Sequence, residues 1–284
     1  IVINAPVFVA YGNYVSFHQG ILDVVPGLPD FSLNLKALEE HLTKDTAAVI
    51  INSPNNPSGV IYSEASLREL ADILDRKSRE FGRRIYIISD EPYREIVYDK
   101  EPVPSPLSFY PHTILCYSWS KSLSIPGERI GYAAVHPEAE DAELLVKGMA
   151  LMTQNMGITN APSLMQRAVA RLTHVEVQKD LYRFRRDLLV DGLSRAGYSL
   201  QIPRGAFYLF PKAPGGDDER FCSFLKESER ILTVPGTGFY QPGYLRISYC
   251  VPQEVIRKAI PGFARAIQSF GAFDDNLKNV PAGL

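Results

Sequence analysis

Ala47-Ala48-Val49-Ile50-Ile51-Asn52-Ser53-Pro54-Asn55-Asn56-Pro57-Ser58-Gly59 is an apolar run that breaks into a polar turn. Ile85-Tyr86-Ile87-Ile88-Ser89-Asp90-Glu91-Pro92-Tyr93 repeats the pattern. Each run is short enough for a strand and carries no polar alternation, as a strand buried on both faces requires. Between them, Ser63 opens a long amphipathic helix to about Phe81, with Leu67, Leu70, Ala71 and Leu74 on one face. Strand, polar turn, helix, strand is the unit of a parallel sheet.

Working outward, Ile1–Ala5, Leu22–Val25, Thr113–Tyr117 and Ile130–Val135 read as further strands. Helical spacing covers Val7–His18 and Leu33–Leu42, the latter with Ser32 as the expected cap. The first half is therefore expected to be α/β, a mainly parallel sheet flanked by helices on both faces. After Pro137 come the helical stretches Glu138–Met156, Ala161–Leu172 and Val175–Arg195. Strands are expected at Tyr198–Ile202, Ala206–Phe210, Ile231–Val234 and Tyr244–Tyr249, with helices at Asp218–Ser228 and Pro252–Phe270. We divide the chain into a large domain, residues 1–178, and a smaller α+β C-terminal domain, 179–284. The polar tail Asp274–Leu284 is expected to fray.

Composition narrows the function classes. The 284 residues are 45% hydrophobic, which rules out disorder, and a chain of this length can bury a large core. Lys+Arg (30) against Asp+Glu (32) leaves a net charge of −2, so no global basic footprint for nucleic acid exists. No apolar run is long enough to span a membrane. Cys116, Cys222 and Cys250 are too few and too scattered for a disulfide framework or a metal cluster. They fit a reducing, cytoplasmic setting.

In a parallel sheet, ligands sit beyond the C-terminal ends of the strands. That edge collects Phe8, Asn52–Gly59, Asp90, Tyr93, Ser118, Ser120, Lys121 and Arg129. A carboxylate can hold a pyridine nitrogen protonated, and a phenol and an amide can bond a ring oxygen. Ser and Arg suit a phosphate, Lys can form an imine, and an aromatic ring can stack on a flat heterocycle. Pyridoxal 5′-phosphate asks for this set. Each residue also has a plain structural reading: Lys121 as a solvated amine, Asp90 as a helix cap, Asn56 as a turn residue. Arg129 and Arg246 could be ordinary ion-pair partners, and Phe8 simple core.

The combination resembles the class I (fold type I) pyridoxal-phosphate-dependent aminotransferases. Ser118-x-Ser120-Lys121 with Pro126-Gly127-x-Arg129-x-Gly131 resembles their cofactor-attachment motif. Asn52–Gly59 resembles their Asn-Pro-x-Asn-Pro-Thr-Gly loop, with Ser53 and Ser58 as departures. Asp90-x-x-Tyr93 resembles the cofactor-ring motif, and Tyr244-Leu245-Arg246-Ile247-Ser248 the substrate-carboxylate arginine. The resemblance implies that Lys121 forms the Schiff base and shuttles the α-proton. It implies that Asp90 pairs with the pyridine nitrogen, that Tyr93 and Asn56 bond the ring oxygen, and that Phe8 stacks. Ser118, Ser120 and Arg129 would hold phosphate, and Arg246, with Asn56, the substrate.

It further implies an L-amino acid and a 2-oxo acid as substrates, a homodimer, and no nucleic acid or membrane partner. Gln154 and Asn155 stand in Thr153–Pro162, where enteric- and animal-type aspartate enzymes carry an arginine. The Gly205–Tyr208 and Pro235–Phe239 stretches look most like the prokaryotic aspartate branch. Aspartate is the favoured substrate on that basis. Relative to the family, about a quarter of the chain is expected upstream of Ile1, holding part of the large domain. Two alternatives stay open on the same fold: a C–S β-lyase, and the cofactor-binding sensor domain of a transcription regulator.

Overall fold

A computed structural model of the chain describes residues 1–100, 102–172 and 174–278. Strands β1 (Val2–Asn4), β2 (Asp23–Val25), β3 (Ala48–Asn52), β4 (Tyr86–Asp90), β5 (Thr113–Ser118) and β6 (Gly131–Val135) form one sheet in the order β2-β1-β3-β4-β5-β6. All neighbouring pairs are parallel except β5–β6, which is antiparallel. The link from Ser118 to Gly131 holds only short helical turns, Trp119–Ser122 among them, and brings the chain back beside its own strand.

Helix α1 (Ala10–Phe17) follows β1, and α2 (Leu35–His41) follows β2. The α2 cap is Asn34, whose side chain accepts from the Ala37 N–H. The expected cap, Ser32, is otherwise engaged: its N–H and its hydroxyl both donate to Asp30 Oδ1. Helix α3 (Glu64–Phe81) has the Ser63 cap and ends at Gly82 in the left-handed region, where an L-residue would be strained.

One face of the sheet is closed by α2 and α3. Val2, Val49, Ile51, Ile85 and Ile87 pack there against Leu38, Leu67, Leu70 and Leu74, all buried. The other face is only partly covered, against expectation. Ile3 and Ile50 pack under Tyr11 and Val15 of α1. Ile50, Ile88, Asp90 and Cys116 line a cavity of about 990 Å³.

Helix α4 (Trp119–Ser122) lies between β5 and β6, and past β6 the chain forms α5 (Ala142–Asn155), α6 (Ser163–Val169) and α7 (Lys179–Ala196). A second, antiparallel sheet has the order β7-β9-β8, from Tyr208–Leu209, Leu245–Ser248 and Val234–Pro235. Tyr198–Ile202 is not a strand. Tyr198 is anchored to the Phe263 carbonyl, but Gln201 and Ile202 are exposed and pair with no neighbouring strand. Helix α8 (Asp218–Phe224) precedes β8, and α9 (Gln253–Lys278) closes the described chain. Residues 274–278 thus continue a helix, and the rest of the expected fraying tail lies outside the described residues.

The core between the second sheet, α7 and α9 includes Leu193, Phe221, Leu245, Tyr249 and Phe263. It also takes in Tyr93, Ile96 and Tyr98 from the segment after β4. That segment is stitched to the one before β7: Val97 bridges Gly205, and the Ala206 N–H donates to the Ile96 carbonyl at 2.9 Å. No described helix is long and apolar enough to cross a membrane.

Candidate active site

The parallel register sets Asn52 and Asp90, the last residues of β3 and β4, beside Cys116, two residues short of the end of β5. Asn52 locks the edge: its amide donates to the Asp90 carbonyl at 2.8 Å, and its Oδ1 accepts from the Asn56 N–H at 2.7 Å. The turn beyond is tied internally. Asn55 Oδ1 accepts from both the N–H and the hydroxyl of Ser58, and Ser53 Oγ accepts from the Tyr62 N–H. Gly59, at φ 71°, passes so close to Pro203 that a Cβ would stand 2.3 Å from its side chain. The Gly59 carbonyl accepts from the N–H groups of Arg204 and Gly205, joining this turn to the chain entering β7.

Asn56 therefore meets β9. Arg246 Nη1 donates to Asn56 Oδ1 at 3.0 Å. Arginine has no acceptor, so the amide must point its oxygen this way and its Nδ2 the other. That Nδ2 makes no hydrogen bond to the described residues and is available as a donor. Arg246 forms no ion pair among the described residues. Its guanidinium lies 4.6 Å from the Tyr208 ring centre and 4.8 Å from that of Phe239. Burial lowers its pKa below the ordinary guanidinium value. The strand pattern is as expected, Leu245, Ile247 and Tyr249 buried and Arg246 on the other side.

Asp90 is not a helix cap; it ends β4. Its Oδ2 accepts a 2.6 Å bond from the Tyr11 hydroxyl of α1. Burial raises the Asp90 pKa, while the Tyr11 bond and the Lys121 charge pull it down and neighbouring Glu91 adds to the rise. Glu91 is itself buried and bonded by Ser89, Ser105 and Arg94. Phe8 meets Tyr11 edge-on, ring centres 5.6 Å apart, and lines the same cavity as Asp90 and Cys116.

Lys121 lies on α4 just past β5, partly buried. Its Nζ is 6.0 Å from the Tyr93 ring centre and 5.8 Å from that of Phe207. It has no hydrogen bond or ion pair among the described residues, whereas Lys77 and Lys147 each lie beside a glutamate. The Tyr93 hydroxyl lies 3.0 Å from that of Tyr208, and burial drives its pKa far above the ordinary phenol value.

Ser118 and Ser120 have their hydroxyls 2.7 Å apart, with Ser118 Oγ also accepting from the Ser120 N–H. Arg129 stands two residues before Gly131, the β6 partner of Ser118. Its backbone is left-handed (φ 51°), and its exposed guanidinium donates to the Pro126 carbonyl at 2.7 Å without bonding either serine. Asn56, Arg246, Tyr93 and Lys121 thus gather in one continuous set of contacts, joined to Asp90 through Asn52. Phe8 reaches it through Tyr11. The serine pair and Arg129 lie along β5 and β6 beside it.

Two residues of this set were not singled out from the sequence, Tyr11 and Tyr208. Each is a tyrosine in an apolar context, indistinguishable there from core. Among the described residues no group of three His, Cys, Asp or Glu could hold a metal ion.

This arrangement has relatives. A family described as "Aminotransferase class I and II" matches residues 1–263. The chain belongs to that family. Among curated aminotransferases, it is 34% identical over 285 residues to the probable aspartate/prephenate aminotransferase of Thermus aquaticus, covering 94% of this chain and 70% of that one. It is 30% identical over 266 residues to the aspartate aminotransferase of Thermotoga maritima, covering 92% and 67%. Among solved aminotransferase structures, one from Eubacterium rectale superposes with a TM-score of 0.90 at 44% identity, covering 94% of this chain and 67% of that chain. A variant of the Thermus thermophilus aspartate aminotransferase gives 0.83 at 32% identity, covering 93% and 69%. The fold is that of the fold type I aminotransferases, and the protein is an enzyme that transfers amino groups.

Proposed function

We propose that this aminotransferase uses pyridoxal 5′-phosphate held by Lys121, with Asp90, Tyr93 and Asn56 around the ring, and moves an amino group between an L-amino acid and a 2-oxo acid. The observation that carries this reading is the divided amide of Asn56. Its oxygen is committed to Arg246, while its Nδ2 remains free to donate to an anionic ring oxygen. The rest of the donor set fits the cofactor: a partly buried carboxylate, an amine with no ion partner, and a pair of adjacent hydroxyls. When bound, the cofactor supplies an aldehyde for imine formation with an amine and a pyridine ring that takes up the electron pair left at Cα.

The chain's own groups then have distinct tasks. Asp90, whose ionised form the Tyr11 hydroxyl favours against the opposing effect of burial, would hold a proton at the pyridine nitrogen. Tyr93 and Asn56 donate to the ring oxygen, Phe8 covers a ring face, and Ser118, Ser120 and Arg129 bind phosphate. Arg246 grips the substrate α-carboxylate, setting the Cα–H bond where Lys121 Nζ can take the proton. The value of that grip is positional. Aspartate is the favoured amino acid, in keeping with the aspartate enzymes among the relatives. Residues 1–178 would form the large domain and 179–284 the small one.

We also propose a homodimer in a reducing, cytoplasmic setting. Exposed Leu144, Leu151, Met152, Met156, Ile158 and Leu164 on and around α5 and α6 form apolar surface that a second copy would cover. Light scattering that found the active protein monomeric would remove the dimer.

The test compares wild type with Arg246→Lys in cofactor-loaded protein. Wild type should convert aspartate and a 2-oxo acid without releasing ammonia; pyruvate and ammonia from a thioether substrate would instead indicate a C–S lyase. Lysine cannot reproduce the bidentate grip. Efficiency with amino acids should fall by about 2–3 kcal/mol, the scale of a lost charged hydrogen bond. An amine lacking the carboxylate should be nearly indifferent. Equal losses on both would make Arg246 a residue of the fold.

A further inference from the structure

We propose that Tyr208 is a positioning residue joining the two halves of the site: its hydroxyl holds the Tyr93 phenol and its ring face sets the Arg246 guanidinium plane. The inference rests on the cofactor reading above. Tyr208 is 7% exposed and sits on β7, paired with Ser248 of β9. Tyr93 belongs to the segment after β4, 115 residues earlier in the chain. The two hydroxyls are 3.0 Å apart, with rings edge-on at 5.8 Å and 80°.

The same ring carries Arg246, 4.6 Å from its centre. A guanidinium so placed has its plane constrained by the ring and one edge constrained by Asn56, leaving another edge for a carboxylate. The backbone makes Tyr208 well suited to the task. Val97–Gly205 pairing and the Ala206 N–H bond to Ile96 fix β7 against the Tyr93 segment. The β7–β9 ladder fixes it against Arg246.

The hydroxyl pair also has a required polarity. If Tyr93 donates to a ligand oxygen, its own oxygen must accept from Tyr208, because one O–H can donate only once. Tyr208 then strengthens Tyr93 as a donor through bond polarisation. The charged and titratable groups facing the pair are Asp90 on β4, Lys121 on α4, Arg246 on β9 and Cys250 just after it.

Two substitutions separate the roles. Tyr208→Phe removes the hydroxyl and keeps the ring; Tyr208→Leu removes both. In the cofactor-loaded full chain, Tyr208→Phe should raise the pH midpoint of the cofactor's absorbance change by about 0.5–1 unit, the equivalent of one lost neutral hydrogen bond. Calorimetric binding of maleate, an unreactive dicarboxylate probe, should change less than about twofold. Tyr208→Leu should shift the same midpoint and weaken maleate about tenfold, near the scale of a lost cation–π contact. An unchanged midpoint in Tyr208→Phe, or unchanged maleate affinity in a folded Tyr208→Leu, would reduce Tyr208 to core packing. Wild type that bound no cofactor would overturn both this inference and the reading beneath it; wild type that bound and titrated normally beside unaffected variants would overturn this inference alone.

Discussion

Replacing Lys121 by alanine should lower transamination by the cofactor-loaded protein by at least about 10⁴-fold, the upper end for a single positioned acid–base group. The loss is this large because one amine is asked to do two things, attach the cofactor and move the Cα proton. Borohydride should leave the cofactor's mass on the Lys121 peptide of wild type and on no peptide of the variant. Stability of the cofactor-free protein should barely move, because Lys121 Nζ makes no hydrogen bond or ion pair among the described residues and its contacts are the ring faces of Tyr93 and Phe207, near the outer limit of a cation–π contact. The pairing of lost turnover with an unchanged thermal midpoint is the decisive result. A label on another lysine, or turnover within tenfold of wild type, would move the chemistry away from Lys121.

The residues at the C-terminal strand ends were legible because β3, β4 and β5 are mainly apolar runs that end in Asn52, Asp90 and Ser118. A run with no polar alternation has one stable place, between other strands, and its last residue then has one edge to occupy. Tyr11 and Tyr208 were not legible. The Tyr11 partner lies 79 residues away, and the Tyr208 partner 115 away. No local period encodes such pairs; tertiary packing alone turns a core tyrosine into a donor. Ser32 failed as a cap for a more local reason, since Asp30 captured its hydroxyl first. The open face bearing Ile50 and Ile88 was missed because periodicity reports that a strand is apolar on both sides, not what covers each side.

Asp90→Asn should cut turnover by about 10²–10⁴-fold, the range for a positioned group that controls a proton, and should also stabilise the cofactor-free protein. The second effect follows from linkage. Burial raises the Asp90 carboxyl above the ordinary carboxylate value. Between the unfolded and folded pKa values the folded chain therefore binds the extra proton, so stability falls as pH rises through that window and stays lowered above it. Asparagine carries no such penalty and can still accept the Tyr11 hydroxyl. The thermal midpoint of the variant should therefore exceed that of wild type by an amount that grows from about pH 4 upward and then levels. Tyr11→Phe should act in the opposite sense. It removes the 2.6 Å bond that pulls the Asp90 value down, so the carboxyl should protonate at higher pH and the acid limb of the turnover profile should move up. An Asp90→Asn advantage that did not vary with pH would mean that the carboxyl is solvated in the folded chain, and full turnover by that variant would remove Asp90 from the pyridine nitrogen.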